Sequence, residues 1–212
     1  LKSSPESQSF LGIKENYDKW DDPSTAQALK DYVQGQNAVA DMQLRFSLEN
    51  LDAQAQLSYR LFEYNGQRDA RAFAFRHNGY LFNQMFGAQS GLPAFLINIH
   101  RIADPSDAKA YIARLKGLEA KMEGLIAEAE RRASLGVLPP TFVYDRVLLD
   151  AANVIKGAPF DEGEPSTLFA DFSKKIDALD IKDGKKADLK EKATKALLDH
   201  VKPAYEKLIQ AM

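Results

Sequence analysis

The sequence predicts an all-α protein, organised as a multi-helix array or bundle of long antiparallel helices. Three observations carry this prediction. Apolar residues recur at helical spacing along most of the 212 residues. No stretch of useful length alternates between apolar and polar residues, as a half-buried strand would. Glycine and proline gather between the periodic segments, and an irregular glycine-rich segment is expected at about residues 77–92.

The chain is predicted to have an N-terminal extension and one helical domain. Residues 1–22 are polar with scattered aromatic residues, and Trp20 is expected to anchor them on the remainder. Residues 23–212 are predicted to form the domain, as the N-terminal part of a larger protein. The chain starts at Leu1, and its helical pattern is still running at Met212, so a fragment or a processed product is expected.

The first half of the chain predicts three helices. Ser24 or Thr25 can cap a helix that runs toward Val33, and the sequence Gly35-Gln36-Asn37 is expected to end it. Helical spacing resumes over about 38–75, with a division near Asn50. Within that stretch, Asn65-Gly66 is either a turn or part of the helix, because a glycine inside a helix costs only about 1 kcal/mol.

The longest predicted helix starts at Asp104. Its side chain can cap the helix, and Pro105 suits the first helical turn. The helix is expected to run for about 30 residues with Gly136 as its stop. A shorter helix is predicted before it, starting near Pro93. The apolar face of the longest helix is expected at the following positions: Tyr111, Leu115, Leu118, Met122, Leu125 and Ile126.

The last third predicts three more helices. Pro139-Pro140 opens the first, which Gly157 ends. The second covers 167–179. The third covers 185–212, and Pro203 should kink it or restart it, because proline lacks a backbone N–H and collides with the preceding turn.

Composition excludes several classes of protein and site. Lys and Arg number 28 against 30 Asp and Glu, a net charge of −2, so no nucleic-acid partner is expected. The absence of cysteine excludes disulfides, thiolate metal sites and a cysteine nucleophile. No apolar run approaches the roughly 18 residues that a transmembrane helix needs.

No self-contained catalytic site or cofactor site is predicted. The histidines His77, His100 and His200 have no second histidine within a helical turn, so the spacing of a zinc-binding helix is missing. Neither a Gly-x-Ser-x-Gly turn nor a phosphate-binding glycine loop occurs. The paired carboxylates lie at loops and helix ends, as solvated caps do. The fragment alone is therefore not expected to be an enzyme or to bind a cofactor.

Four sequence motifs, taken in order, carry a family resemblance. They are Gln84-Met85-Phe86-Gly87-Ala88-Gln89-Ser90-Gly91-Leu92-Pro93 with its continuation to Ile102, then Asp107 to Leu115, Gly136-Val137-Leu138-Pro139-Pro140, and Val154 to Phe160. This succession resembles the N-terminal half of the bacterial DUF885 family, whose function is unknown. The resemblance covers about residue 20 to the end.

The resemblance implies a place for this chain in a longer protein. DUF885 proteins are long, largely helical, and similar to zinc metallopeptidases, with a His-Glu-x-x-His motif in the C-terminal half. This chain has no such motif, so zinc and hydrolase activity are expectations for the full-length parent only. The C-terminal half of the same polypeptide and a peptide substrate are the implied partners. A location in the bacterial cell envelope or periplasm, with a lipid anchor on the precursor, is implied as well.

The same resemblance indicates where a substrate channel would run. In helical zinc peptidases the N-terminal helices form one wall of a deep channel, and the segment 84–100 is the expected wall here. The candidate groove-lining residues are Asn83, Gln89, His100 and Arg101. The alternative is a non-catalytic helical binding or scaffold module, which fits a set of amphipathic helices without clustered catalytic groups.

Overall fold

The structure, a computed structural model, describes residues 4–212 and divides them into two compact units. Unit 1 contains residues 4–22 and Tyr80–Met212, and unit 2 contains Pro23–Gly79. Residues 1–3, which open the predicted N-terminal extension, lie outside the described residues. The predicted boundary at 22/23 coincides with a unit boundary, but residues 4–22 pack with Tyr80–Met212, and Pro23–Gly79 is a unit of its own.

The part of the chain that the structure describes contains helices and no strand, which confirms the predicted all-α class. None of these helices is long and apolar enough to span a membrane. The α-helices are α1 (Pro5–Phe10), α2 (Thr25–Arg45), α3 (Ala53–Phe73), α4 (Ala88–Asn98), α5 (Pro105–Ser134), α6 (Phe142–Val154), α7 (Thr167–Asp177), α8 (Asp183–Ala196) and α9 (Lys202–Ala211).

Unit 2 is a hairpin of α2 and α3. The predicted division near Asn50 is confirmed, since a short 3₁₀ turn, Leu48–Asn50, separates the helices and the Asp52 carboxylate caps α3 by accepting the Ala55 N–H at 2.8 Å. The prediction that Gly35-Gln36-Asn37 ends the first helix was wrong. The amide of Gln36 donates to the Gly66 carbonyl of α3 at 3.1 Å, and this contact across the hairpin holds α2 helical through the glycine.

Gly66 lies inside α3 and is not a turn residue. A Cβ there would come within 2.5 Å of Cγ2 of Val39 on α2, so glycine permits the close approach of the two helices. Next along the hairpin, the rings of Tyr32 and Phe73 stack with centroids 4.1 Å apart. Every residue of both helices nevertheless keeps some exposure to solvent.

Helix α5 is the centre of unit 1. Its predicted start is confirmed, because the Asp104 carboxylate accepts the backbone N–H groups of Ser106 and Asp107. Its predicted length of about 30 residues is confirmed as well, with Gly136 just past its end at φ 81°. One face of α5 packs on α8 and α9, and α4 packs on α6 and α7. The fully buried core includes Leu96, Tyr111, Leu118, Met122, Val147, Phe172, Ile176, Leu197 and Leu208.

The helices after α5 follow the predicted order, and Pro203 acts through the turn before it. Leu197–Val201 forms a π-helical turn between α8 and α9. A proline cannot donate to the carbonyl of Asp199, four residues back, and its ring would collide with that carbonyl in a regular α-helix. The wider turn makes room for the proline, so the helical direction continues into α9.

Candidate functional site

The segment that the sequence singles out begins with a turn built by Asn83. The Asn83 carboxamide oxygen accepts the N–H groups of Met85 at 2.9 Å and Phe86 at 2.8 Å. Gly87 then caps α4, and a Cβ on Gly87 would come within 2.5 Å of the backbone N and O of Asn83. The side chains of Met85 and Phe86 project into solvent, 70% and 88% exposed. This tight turn makes α4 start at Ala88.

The start of α4 differs from the prediction that placed it near Pro93. Pro93 lies inside α4, where it leaves the Gln89 carbonyl without its helical donor. The hydroxyl of Tyr205 on α9 donates to that carbonyl at 2.6 Å. Tyr205 is fully buried, and burial raises its pKa, so the hydroxyl stays protonated. A side chain from another helix thus replaces the hydrogen bond that proline removes.

Gln89, a predicted groove residue, is buried between α4 and α6. Its side-chain amide donates to the Asn83 carbonyl at 2.6 Å and to the Asp150 carboxylate at 3.3 Å. Ser90 donates to the same carboxylate oxygen at 3.2 Å. Two of the four predicted residues, Asn83 and Gln89, are therefore brought together, and the Gln89 amide links the turn at Asn83 to Asp150 of α6.

His100, at the end of α4, is fully buried and neutral. Its Nδ1 lies 2.9 Å from an Arg114 nitrogen, and its Nε2 lies 3.1 Å from the Asp107 carbonyl. A guanidinium can only donate, so Nδ1 accepts and Nε2 carries the proton. Burial lowers the pKa of His100 to about 3, helped by the nearby charges of Arg114 and Lys175. Both ring nitrogens are occupied within the protein.

Arg114 joins the N-terminal residues to the rest of unit 1. Its guanidinium donates to the Lys19 carbonyl at 3.0 Å and to the Ser9 hydroxyl at 2.8 Å, besides the bond to His100. Burial lowers its pKa to about 10, so it remains charged at neutral pH. Aromatic rings surround the charge at 4.8–5.6 Å from the guanidinium carbon, namely Tyr17, Trp20 and Phe95.

The other predicted residue at this end, Arg101, is exposed. Its backbone, rather than its guanidinium, takes part in the cluster: the Arg101 N–H donates to the Tyr17 hydroxyl at 2.8 Å, and that hydroxyl donates to the Arg101 carbonyl at 3.1 Å. Trp20 anchors the N-terminal residues as predicted, since its indole N–H donates to the Arg114 carbonyl at 2.8 Å.

Lys175 of α7 holds the C-terminal end of α4. Its ammonium donates to the carbonyls of Leu96, Ile97 and His100 at 2.8–3.1 Å and pairs with Asp171 at 2.7 Å. The carbonyls of a last helical turn have no partner within the helix and attract cations. Lys175 therefore fixes the end of α4 against α7.

A groove of about 450 Å³ lies along the outer face of α4. Apolar side chains dominate it, and the ion pair of Lys121 with Glu6, 2.9 Å between the charged atoms, stands at its edge. Asn83, Gln89, His100 and Arg101 do not line this groove, so their role in substrate contact stays a prediction. The groove is lined by residues of α4 and by its C-cap Ile99, with Phe10 and Leu125 opposite; the α4 residues are Ala88, Gly91, Leu92, Ala94, Phe95 and Asn98.

Sequence reasoning missed Arg114 and Lys175. Arg114 had a readable signal, because it stands on the apolar face of α5, three residues after Tyr111 and four before Leu118, where a charge has to be paired. Lys175 had none, since it lies in a run of alternating charges. Nowhere in residues 4–212 do three His, Asp or Glu side chains come close enough together to hold a metal ion.

Comparisons with known proteins identify the family. The family model of DUF885, described as bacterial protein of unknown function, matches residues 5–212. A crystal structure of the putative lipoprotein from Colwellia psychrerythraea shares the fold, with a TM-score of 0.83 and 17% identity over 99% of this chain. The chain spans 38% of that structure's length. No match was found among curated proteins. Because the family model covers nearly the whole chain, this protein belongs to the DUF885 family.

Proposed function

We propose that this chain is the N-terminal helical, substrate-channel-forming part of a cell-envelope protein that resembles zinc metallopeptidases. The observation that carries the proposal is the apolar groove on the outer face of α4. Channel walls need a concave surface on a rigid element, and α4 is held at its start by Asn83 and at its end by Lys175.

The groove fits apolar side chains of a peptide better than a charged ligand. The charges at its edge, Lys121 and Glu6, neutralise each other, and Lys121 also donates to the Asp21 carbonyl at 2.8 Å. Gly91 and Ala94 leave room on the exposed side of α4, so a side chain of the substrate can approach the helix backbone. Selectivity for apolar peptide segments is the expected consequence.

We propose no zinc site within residues 4–212. The described residues bring no set of three ligands together, and His100 has both nitrogens occupied. The proposal assigns zinc to the full-length parent, in the C-terminal half of the polypeptide, and assigns no zinc ligand here.

An envelope location is part of the proposal. The structural neighbour is described as a putative lipoprotein, which supports an envelope protein with a lipid anchor on its precursor. We propose a periplasmic position for the same reason.

Photocrosslinking tests the groove directly. Benzoylphenylalanine placed at Ala94, inside the groove, should capture apolar peptides from a synthetic heptapeptide mixture. The same group placed at Glu162, in an exposed loop, is the matched control. Equal capture at both positions, or none at Ala94, would contradict a peptide groove. The zinc content and the peptide hydrolysis of the full-length parent test its proposed resemblance to zinc metallopeptidases. A parent that contains no zinc and hydrolyses no peptide would contradict that resemblance.

A non-catalytic scaffold is the second candidate. The polar cluster around Arg114 favours it, since its buried polar groups are used to hold the N-terminal residues rather than to face a ligand. A parent without zinc or hydrolysis whose groove still captures peptides would support this reading.

A further inference from the structure

Helix α1 turns polar side chains toward the protein and leaves apolar ones in water. Gln8 and Ser9 are buried, whereas Phe10 and the C-cap residue Leu11 are 65% and 63% exposed. Among residues 4–212 no donor reaches Oε1 of Gln8, so a buried acceptor lacks a hydrogen bond. An amphipathic helix ordinarily buries its apolar side. The position of α1 thus leaves two large apolar side chains without cover and one buried polar atom unsatisfied.

The exposed end of α1 stands beside the groove on α4. Phe10 lines the groove opposite α4, and its ring meets the Phe95 ring edge-on with the centroids 5.7 Å apart. Leu11 is the next residue but does not line the groove. A small movement of α1 toward α4 would therefore place both side chains over whatever apolar group the groove holds.

Gly12 separates α1 from a firmly fixed part of the N-terminal residues. Its φ of 74° lies in the left-handed region, and the space around its Cβ position is open. Beyond it, the Tyr17 ring stacks on His100 with the centroids 4.1 Å apart, and the Trp20 indole donates to a backbone carbonyl of α5. A glycine between a short helix and such an anchor is a suitable place for a hinge.

Arg114 attaches α1 through one nitrogen only. Its Nη2 donates to the Ser9 hydroxyl at 2.8 Å and to the Pro5 carbonyl at 3.4 Å. The other two nitrogens donate to the Lys19 carbonyl and to His100, which lie outside α1. If α1 turns, Arg114 therefore keeps two of its partners, and water can serve Nη2.

The start of α1 is attached to Asp21 and Lys121. The Glu6 N–H donates to the Asp21 carboxylate at 2.8 Å, and the Glu6 carboxylate pairs with Lys121 at 2.9 Å. Lys121 also donates to the Asp21 carbonyl at 2.8 Å, so it too has a partner outside α1. With its start held near Asp21 and its end at Gly12, α1 is left free to turn about its own axis.

We propose that α1 is a lid of this groove. It turns between Asp21 and Gly12 and lays Phe10 and Leu11 on an apolar side chain bound along α4. The inference rests on the proposed function, because the occupant is the apolar peptide proposed there. The turn opens Gln8 to water and removes apolar surface from water, and both changes favour closure. An occupant is required, since the turn buries Phe10 and Leu11 only when there is something to pack on.

The rate of peptide dissociation tests the lid, because Leu11 contacts the peptide only after α1 has turned. The probe is the heptapeptide captured by benzoylphenylalanine at Ala94, carrying a fluorophore. Leu11→Ser should speed its dissociation at least about tenfold, since a leucine side chain loses a buried contact. Leu11→Met, which keeps an apolar side chain of similar volume, should dissociate nearly as slowly as the wild type.

Leu135→Ser is the matched control for this measurement. Leu135 is 58% exposed at the end of α5 and does not line the groove, so its substitution should leave the dissociation rate unchanged. Circular dichroism must show the same helix content in all variants. If Leu11→Ser and Leu135→Ser release the peptide at the wild-type rate, α1 is a fixed wall and the lid is overturned.

A fluorescent label reports the movement itself. The chain has no cysteine, so Leu11→Cys can be labelled at one site with acrylodan, whose emission shifts to the blue when it leaves water. Saturation with the same heptapeptide should produce this shift at Leu11→Cys and not at Leu135→Cys. An unshifted emission from Leu11→Cys with the peptide bound would refute closure.

The lid and the groove fail in different ways. If benzoylphenylalanine at Ala94 captures no heptapeptide, the groove is refuted and the lid falls with it. If Ala94 captures a heptapeptide but changes at Leu11 affect neither the dissociation rate nor the emission, the lid alone is refuted and the peptide groove stands.

Discussion

The Tyr205 hydroxyl donates a 2.6 Å hydrogen bond to the Gln89 carbonyl, which the ring of Pro93 has left without its helical donor. The bond joins α9 to the interior of α4 across 116 residues of sequence. It explains how a proline can stand in the middle of the helix that forms the groove.

Removing this hydroxyl should destabilise the protein through the orphaned carbonyl. Tyr205→Phe is expected to lower the free energy of unfolding by about 1–3 kcal/mol, the cost of an unsatisfied buried acceptor. In Pro93→Ala the alanine N–H can bond the Gln89 carbonyl, so the phenylalanine substitution should cost less in that background. Urea unfolding of the four proteins measures the coupling. Additive effects would mean that proline and tyrosine are not linked.

Arg114 should contribute far more to the stability of the protein than an exposed cation on the same helix. Arg114→Met removes the hydrogen bonds that the guanidinium donates to Pro5, Ser9, Lys19 and His100, and we expect a loss of about 3–5 kcal/mol, as for breaking a buried charged network. The exposed Lys116→Met is the control and should change stability by less than about 0.5 kcal/mol. Limited proteolysis should release residues 4–22 first in Arg114→Met. Equal protease resistance of the two variants would show that Arg114 does not hold these residues.

His100 should make stability fall in acid. Its pKa is about 3 in the folded protein, below its ordinary value of 6.5, so the unfolded chain binds a proton that the folded chain excludes. The stabilisation is complete above pH 6.5 and is lost as the pH falls toward 3, by up to about 1.4 kcal/mol per pH unit. His100→Gln removes this titration but leaves those of the carboxylates. The difference in unfolding free energy between wild type and His100→Gln, measured from pH 7 to pH 4, should narrow; a constant difference would refute the assignment.

Alanine substitutions at two glycines four residues apart, Gly87 and Gly91, should change the stability of the protein in opposite directions. Gly87→Ala places a methyl group within 2.5 Å of the Asn83 backbone, and it should destabilise the protein by more than about 2 kcal/mol because backbone atoms must move. Gly91 has open space around its Cβ position and lies inside α4, so Gly91→Ala should stabilise by about 0.5–1 kcal/mol. Differential scanning calorimetry distinguishes the signs, and a stabilised Gly87→Ala protein would contradict the described turn.

Local signals predicted most of the helices and part of the site. Asp104, Pro105 and Gly136 act within a few residues of their own positions, so their effect could be read from the sequence. Pro93 could not, because whether it starts α4 or lies inside it depends on Tyr205, which is distant in sequence. The same holds for Gly35, where a hydrogen bond to the neighbouring helix decides the outcome.

The sequence predicted which segment contains the candidate site but not which residues line it. The family resemblance singled out 84–100, and the apolar groove lies along that segment, but the lining residues are the small and apolar ones on the outer side of α4. The polar residues that sequence reasoning preferred were chosen for their chemistry. In the structure Gln89 and His100 use that chemistry to hold the helix in place, which only the partners on α5, α6 and α9 reveal.

Trp20 is the only tryptophan of the chain, and it lies on Arg114 at the junction between the N-terminal residues and α5. Intrinsic fluorescence therefore reports on this one junction without any label, while far-ultraviolet dichroism reports on all the helices together. A tryptophan signal that changes before the dichroism on heating would mark detachment of the N-terminal residues as a separate early event. Coincident curves would place the junction within the cooperative unit.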